Sequence, residues 1–97
     1  MSTEGNIRAE IYVSGRVQGV GFRRFARNAA ERFGVDCNPV NLRDGMVLVI
    51  AEGGKEALQL LINELRKGPT FAHVENVDIS FKNATGNVHE FSIKSNY

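Results

Sequence analysis

Cysteine, tryptophan and net charge are all scarce in this chain of 97 residues. The one cysteine, Cys37, excludes an internal disulfide and a cysteine-based zinc site. A formal net charge of +1 is too small an excess for a protein that relies on neutralising nucleic-acid phosphates. The two histidines, His73 and His89, have no local metal-ligand spacing, so neither a metal nor a cofactor is expected. Met1 to Glu10 lacks the apolar core of a secretory signal, and no run approaches membrane-spanning length. The expectation is a cytoplasmic, reducing location, with neither nucleic acid nor membrane as partner.

What is present fits one small domain. Residues 1–6 are polar and read as a flexible N-terminus ahead of a single domain over 7–97. Ile7, Ala9, Ile11 and Val13 alternate with Arg8, Glu10 and Tyr12, the period of a half-buried strand. From Phe22 the period changes: Phe22, Phe25, Ala26, Ala29 and Phe33 step by three and four, the stripe of an amphipathic helix that stops at Gly34. Val35 to Leu42 is short and extended, and Arg43-Asp44-Gly45 supplies hairpin turn chemistry. Met46 to Ala51 is an apolar, β-branched run expected for a central strand and broken by Gly53-Gly54. Leu58, Leu61, Ile62 and Leu65 mark a second helix, ended by Gly68-Pro69. Val74, Val77, Ile79 and Phe81 mark another strand, and Phe91 and Ile93 a last one. The expected fold is α+β, a two-layer α/β sandwich of ferredoxin-like βαββαβ order with an additional C-terminal strand. No long apolar stripe is left over after packing, so a monomer is expected.

The segment with most chemical content is Gly15-Arg16-Val17-Gln18-Gly19-Val20-Gly21-Phe22-Arg23, between a strand and a helix N-terminus. Main-chain N–H groups there lack intrahelical partners, and the helix dipole adds positive potential, so the place suits phosphate. Glycines allow the backbone to curl into a concave nest of donors. Arg23, in the first helical turn, can add a two-pronged contact to phosphate oxygens. Arg16 lies within the cradle, whereas Arg24 and Arg27 read as the wet face of the helix, and Phe22, Phe25 and Phe33 as core. Cys37 reads as a small, half-buried apolar residue.

Val13-x-Gly15-x-Val17-Gln18-Gly19-Val20-x-Phe22-Arg23 resembles the N-terminal signature of the acylphosphatase family at every defined position. Asn41-x-x-x-Gly45-x-Val47 with Gly53 is similar to the family's second motif, and Lys67-Gly68-Pro69 and Ala72-His73-Val74-Glu75-Asn76-Val77 also look like it. The resemblance covers most of the chain. It implies hydrolysis of acyl phosphates without metal or covalent intermediate. Arg23 would bind the substrate phosphate, Asn41 would hold the attacking water, and the loop Gly15, Arg16, Val17, Gln18, Gly19, Val20, Gly21 and Phe22 would cradle the phosphate. The chain departs from the family before Asn41, where Cys37-Asn38-Pro39-Val40 replaces a stretch that usually includes glycine and an aromatic. Pro39 lacks a backbone donor and is tolerated only at a sheet edge or bulge, so the departure points to a shortened or displaced second strand.

Two other functions share this pattern. A non-catalytic module could hold a phosphorylated ligand on the same loop. RNA-recognition motifs share the βαββαβ order, but they stack bases on aromatic residues of the central strands; Met46 to Ala51 contains none, and the first strand offers only Tyr12.

Overall fold

Alternation in the first strand and the apolar run in the third dictate the sheet, and two helical stripes dictate what covers it. The computed structural model describes residues 5–93. The elements run β1 (Asn6–Arg16), α1 (Phe22–Phe33), β2 (Asp36–Asn41), β3 (Val47–Gly54), α2 (Lys55–Lys67) and β4 (His73–Asn83). The four strands form one antiparallel sheet in the order β2-β3-β1-β4. This is the expected βαββαβ sandwich. Residues 1–4 of the expected flexible N-terminus lie outside the described residues, and Asn6 already opens β1, opposite Gly54.

Both helices lie on one face of the sheet. Ile11, Val13, Val47 and Val49 point to that face and meet Phe22, Ala26 and Ala29 of α1 and Leu58, Leu61, Ile62 and Leu65 of α2. The alanines of α1 are small enough to bring that helix close. Gly34 ends α1 in the left-handed conformation (φ 69°), the position where glycine has no Cβ penalty. Val35 N–H then donates to Ala30 O at 2.9 Å and turns the chain into β2.

Two local expectations change. Gly53-Gly54 does not break β3: both residues stay in the strand, opposite Ile7 and Asn6, and α2 starts directly at Lys55. A Cβ on Gly53 would stand 3.3 Å from Val35 Cγ2, so glycine serves close packing there, not a turn. Nor is β2 displaced by Pro39. Asp36 to Asn41 pair in unbroken register with Glu52 to Val47, and β2 is an edge strand, where a missing N–H is tolerated.

The opposite face of the sheet is the larger surprise. Alternation alone would leave Arg8, Glu10 and Tyr12 in water, yet they are 3%, 7% and 2% exposed. The segment after β4 crosses that face, and Val88 packs with Tyr12, Leu42, Leu48 and Ile50. Asn38 Nδ2 of the edge strand donates to Val88 O at 3.2 Å. Around Phe91 and Ile93, where a last strand is expected, the described residues follow this crossing path without a ladder of their own, and residues 94–97 lie outside the described range.

Ion pairs fasten the crossing. Arg8 donates to Glu10 Oε2 (2.9 Å), Glu52 Oε2 (2.8 Å) and the carbonyl of Glu90 (2.6 Å). Glu52 also accepts from Gly86 N–H (2.8 Å) and from the Thr85 hydroxyl (2.9 Å), and Lys82 Nζ reaches Glu10 at 2.7 Å. Burial works against the charge on Glu52, but the Arg8 guanidinium and the Thr85 and Gly86 donors outweigh it and hold its pKa at about 2.

Candidate active site

The loop between β1 and α1 is held from both ends. Val17 and Phe22 are each 1% exposed and sit in the core, so the intervening residues have little freedom. Val20 packs partly against the same core. Gly19 and Gly21 adopt positive φ (75° and 79°), which side-chain-bearing residues rarely do, and the loop turns back on itself between the anchors.

Gln18 supplies a third anchor. Its side-chain amide donates to Leu42 O and Met46 O, both at 2.8 Å. Those two carbonyls belong to the tight turn between β2 and β3, where Leu42 N–H also donates to Met46 O (2.9 Å) and Met46 N–H donates to Asp44 Oδ1 (3.0 Å). Asn41 immediately precedes that turn. The glutamine therefore ties the loop to the backbone that carries Asn41.

At the N-terminus of α1, Gly21 is the cap residue, and its carbonyl accepts the first helical bond from Phe25 N–H at 3.0 Å. No side chain caps this end and no acidic residue lies in the first turn. The helix start thus presents unsatisfied N–H donors and the positive end of its dipole. Beside it opens a cavity of about 230 Å³ lined by Gly19, Gly21, Phe22, Arg23, Arg24, Arg27 and Asn41. Its lining residues include three arginines, one asparagine and no acidic residue. None of the three arginine side chains makes a hydrogen bond or ion pair among the described residues. The arrangement can accept a small, multiply charged anion and place an amide beside it.

The structure sorts the sequence candidates into three groups. Arg23, Asn41, Gly19, Gly21 and Phe22 border one cavity. Val17, Gln18 and Val20 are anchors of the loop, with their side chains directed to the core or the neighbouring turn. Gly15 and Arg16 are not in the loop: they extend β1 and pair with Val74 and His73 of β4. Gly15 forms a bulge where the register shifts, and a Cβ there would collide with the carbonyl oxygen of His73. Arg16 lines a separate hollow with Thr70, Phe71, Ala72, His73 and Glu75. Arg24 and Arg27, read from the sequence as the wet face, turn out to border the same cavity as Arg23. The available signal was that Arg27 follows Arg23 by four and Arg24 by three, which makes it a surface neighbour of both on a helix.

Other features carry less. The larger hollow between α1 and α2, about 570 Å³, has its arginine already neutralised, because Arg32 pairs with Glu64 at 3.1 Å. Burial pushes the Cys37 thiol up to about 12, against a weaker downward pull from Arg27. It stays protonated at neutral pH and is no nucleophile. No described helix is long and apolar enough to cross a membrane.

Comparison with known proteins places the chain in a family. The acylphosphatase family model matches residues 9–93. An acylphosphatase of Roseiflexus sp. is 44% identical over 86 residues, covering 89% of this chain and 92% of the relative. One from Deinococcus radiodurans is 45% identical over 87 residues, covering 90% and 99%. The crystal structure of acylphosphatase from Bacillus subtilis superposes with a TM-score of 0.79 at 33% identity, covering 81% of this chain and 88% of that one.

Proposed function

The chain belongs to the acylphosphatase family, and on that premise we propose that it hydrolyses acyl phosphates to carboxylate and inorganic phosphate at the cavity beside the α1 N-terminus. The observation that carries the reading is the meeting of Arg23, Asn41 and the glycines of the 17–21 loop around one cavity whose lining has no acid.

An acyl phosphate asks little of its catalyst. Its leaving group is a carboxylate with a pKa of roughly 4 to 5, which departs without a proton. Catalysis reduces to holding the phosphoryl group, offsetting its charge and placing water in line. Arg23 and the N–H groups at Gly19 to Phe22 hold the phosphoryl oxygens. Asn41 orients the water through its amide, which is neutral and so positions without deprotonating. The water oxygen forms the new bond to phosphorus as the bond to the acyl oxygen breaks, and the electron pair of that bond leaves on the carboxylate. The water proton passes to a phosphoryl oxygen. The cavity lining contains no histidine, carboxylate, lysine or cysteine to serve as a base. A rate independent of pH between about 5 and 8 supports this reading, whereas a titration near the usual histidine pKa counts against it.

The protein is further read as a monomer in a reducing compartment, with Cys37 unpaired. Steady-state assay of benzoyl phosphate beside a phosphomonoester, with and without chelator, tests the activity. Turnover of the anhydride alone, unchanged by chelation and lost in Asn41→Ala, is the expected result. A wild-type rate no faster than that of the Asn41→Ala variant leaves only a phosphate-binding module.

A further inference from the structure

Arg24 and Arg27 are left without an assignment by the chemistry above, which uses one guanidinium. They sit three apart on α1, hence adjacent on its surface, and Arg27 is four from Arg23. All three border the same cavity. Elsewhere in the described residues, Arg8, Arg32, Lys67 and Lys82 each lie within 3.1 Å of a carboxylate, while Arg16, Arg43, Lys55 and Arg66 make no ion pair but stand apart from one another along the chain. Here three like charges crowd the first turns of a helix, at the end where its dipole is already positive and where no acid is present. That placement works against the helix. An anion filling the space offsets that repulsion, and three cations exceed the charge of a single phosphoryl group.

We propose that Arg24 and Arg27 form a second anion subsite, so that the preferred substrate is an acyl phosphate whose acyl chain carries its own negative group, a carboxylate or a phosphate ester. This rests on the reading of the cavity as the site of acyl-phosphate hydrolysis. The phosphoryl group sits on Arg23 and the loop, and the acyl chain extends along α1 so that its terminal anion reaches the Arg24 and Arg27 guanidinium groups. Both are exposed, so each contact contributes modestly, and the pair together changes affinity on the order of tenfold.

The test compares succinyl phosphate with butanoyl phosphate, equal in chain length and differing in the terminal carboxylate, and adds 3-(phosphonooxy)propanoyl phosphate as the phosphate-ester arm. Alongside, calorimetric titration compares 3-phosphonopropionate with propylphosphonate, which measures the subsite without turnover. The wild-type protein is expected to favour the doubly anionic member of each pair by about tenfold in kcat/KM or Kd. In R24Q/R27Q that ratio falls to near one, and R24Q alone gives an intermediate value. Arg66→Gln removes the same charge from α2, outside the cavity, and keeps the wild-type ratio. A ratio near one in the wild-type protein overturns the subsite, as does a fall as large in R66Q as in R24Q/R27Q, which would mark a general field effect. The rank of the carboxylate and phosphate-ester arms says which anion the subsite takes. If butanoyl phosphate is not hydrolysed but the phosphonate ratio holds, the enzymatic reading fails and the subsite stands.

Discussion

Arginine has opposite uses in two regions of this molecule. Arg8, in the middle of the sheet, is buried and saturated: two carboxylates and main-chain carbonyls of the C-terminal segment take its donors. Arg23, Arg24 and Arg27, around the α1 N-terminus, are exposed and make no ion pair among the described residues. The first arrangement holds the fold together, since a buried charge without partners is costly. The second keeps its donors available, which an enzyme needs if they are to act on a substrate instead of on its own acids. The contrast teaches that partner supply, not residue type, separates a structural arginine from a functional one.

The contrast can be broken from either end. Arg8→Met leaves Glu52 buried without its counter-charge and Glu10 with Lys82 alone, and urea unfolding is expected to show a loss of about 3–5 kcal/mol. The rate per folded molecule stays unchanged. Arg23→Gln should reverse the pattern: kcat/KM for benzoyl phosphate falls on the order of a hundred- to a thousandfold, while the melting temperature holds or rises slightly as like charges in the first turn are relieved. Gln18→Leu lies between the two. It strips a shared donor from Leu42 O and Met46 O at a cost of about 1–3 kcal/mol, and it loosens Asn41 relative to the loop. A drop in kcat exceeding any rise in KM would identify positioning as its role.

The pH dependence sharpens the same comparison. Glu52 has its folded pKa depressed to about 2, from an ordinary value of 4.5. Its stabilising effect is therefore complete above the unfolded value and is lost as pH falls through the folded one. Melting temperature should be insensitive to this group between about pH 5 and 8 and decline from about pH 4.5 toward 2. Glu52→Gln should flatten that decline. The smallest effect is expected at the exposed pair between the helices: Arg32→Gln should lower the melting temperature only slightly, and less at high salt.

Much of this was legible beforehand. The stripe from Phe22 to Phe33, the Gly34 stop and the β-branched third strand each follow from local chemistry, and each holds. The signature loop likewise pointed to Arg23 and Asn41, and one cavity now joins them. Three things were not legible. The departure before Asn41 looked disruptive, but edge placement makes Pro39 harmless. Gly15 looked like part of a phosphate loop, but a neighbouring strand's carbonyl is what excludes a side chain there. Polar residues alternating along β1 looked solvated, because nothing in their spacing reveals that residues from far down the chain will cover them.

Taken alone, the amino-acid order determined the elements, their sequence and the family, because hydrophobic period, glycine placement and signature residues act over a few positions at a time. Only the tertiary structure decided which charges are spent on one another and which are left to meet a ligand. That outcome depends on contacts such as Arg8 with Glu52, or Gln18 with Met46, between residues separated by 44 and 28 positions. Electrostatic partnership is set by distance in space, and no local period encodes it.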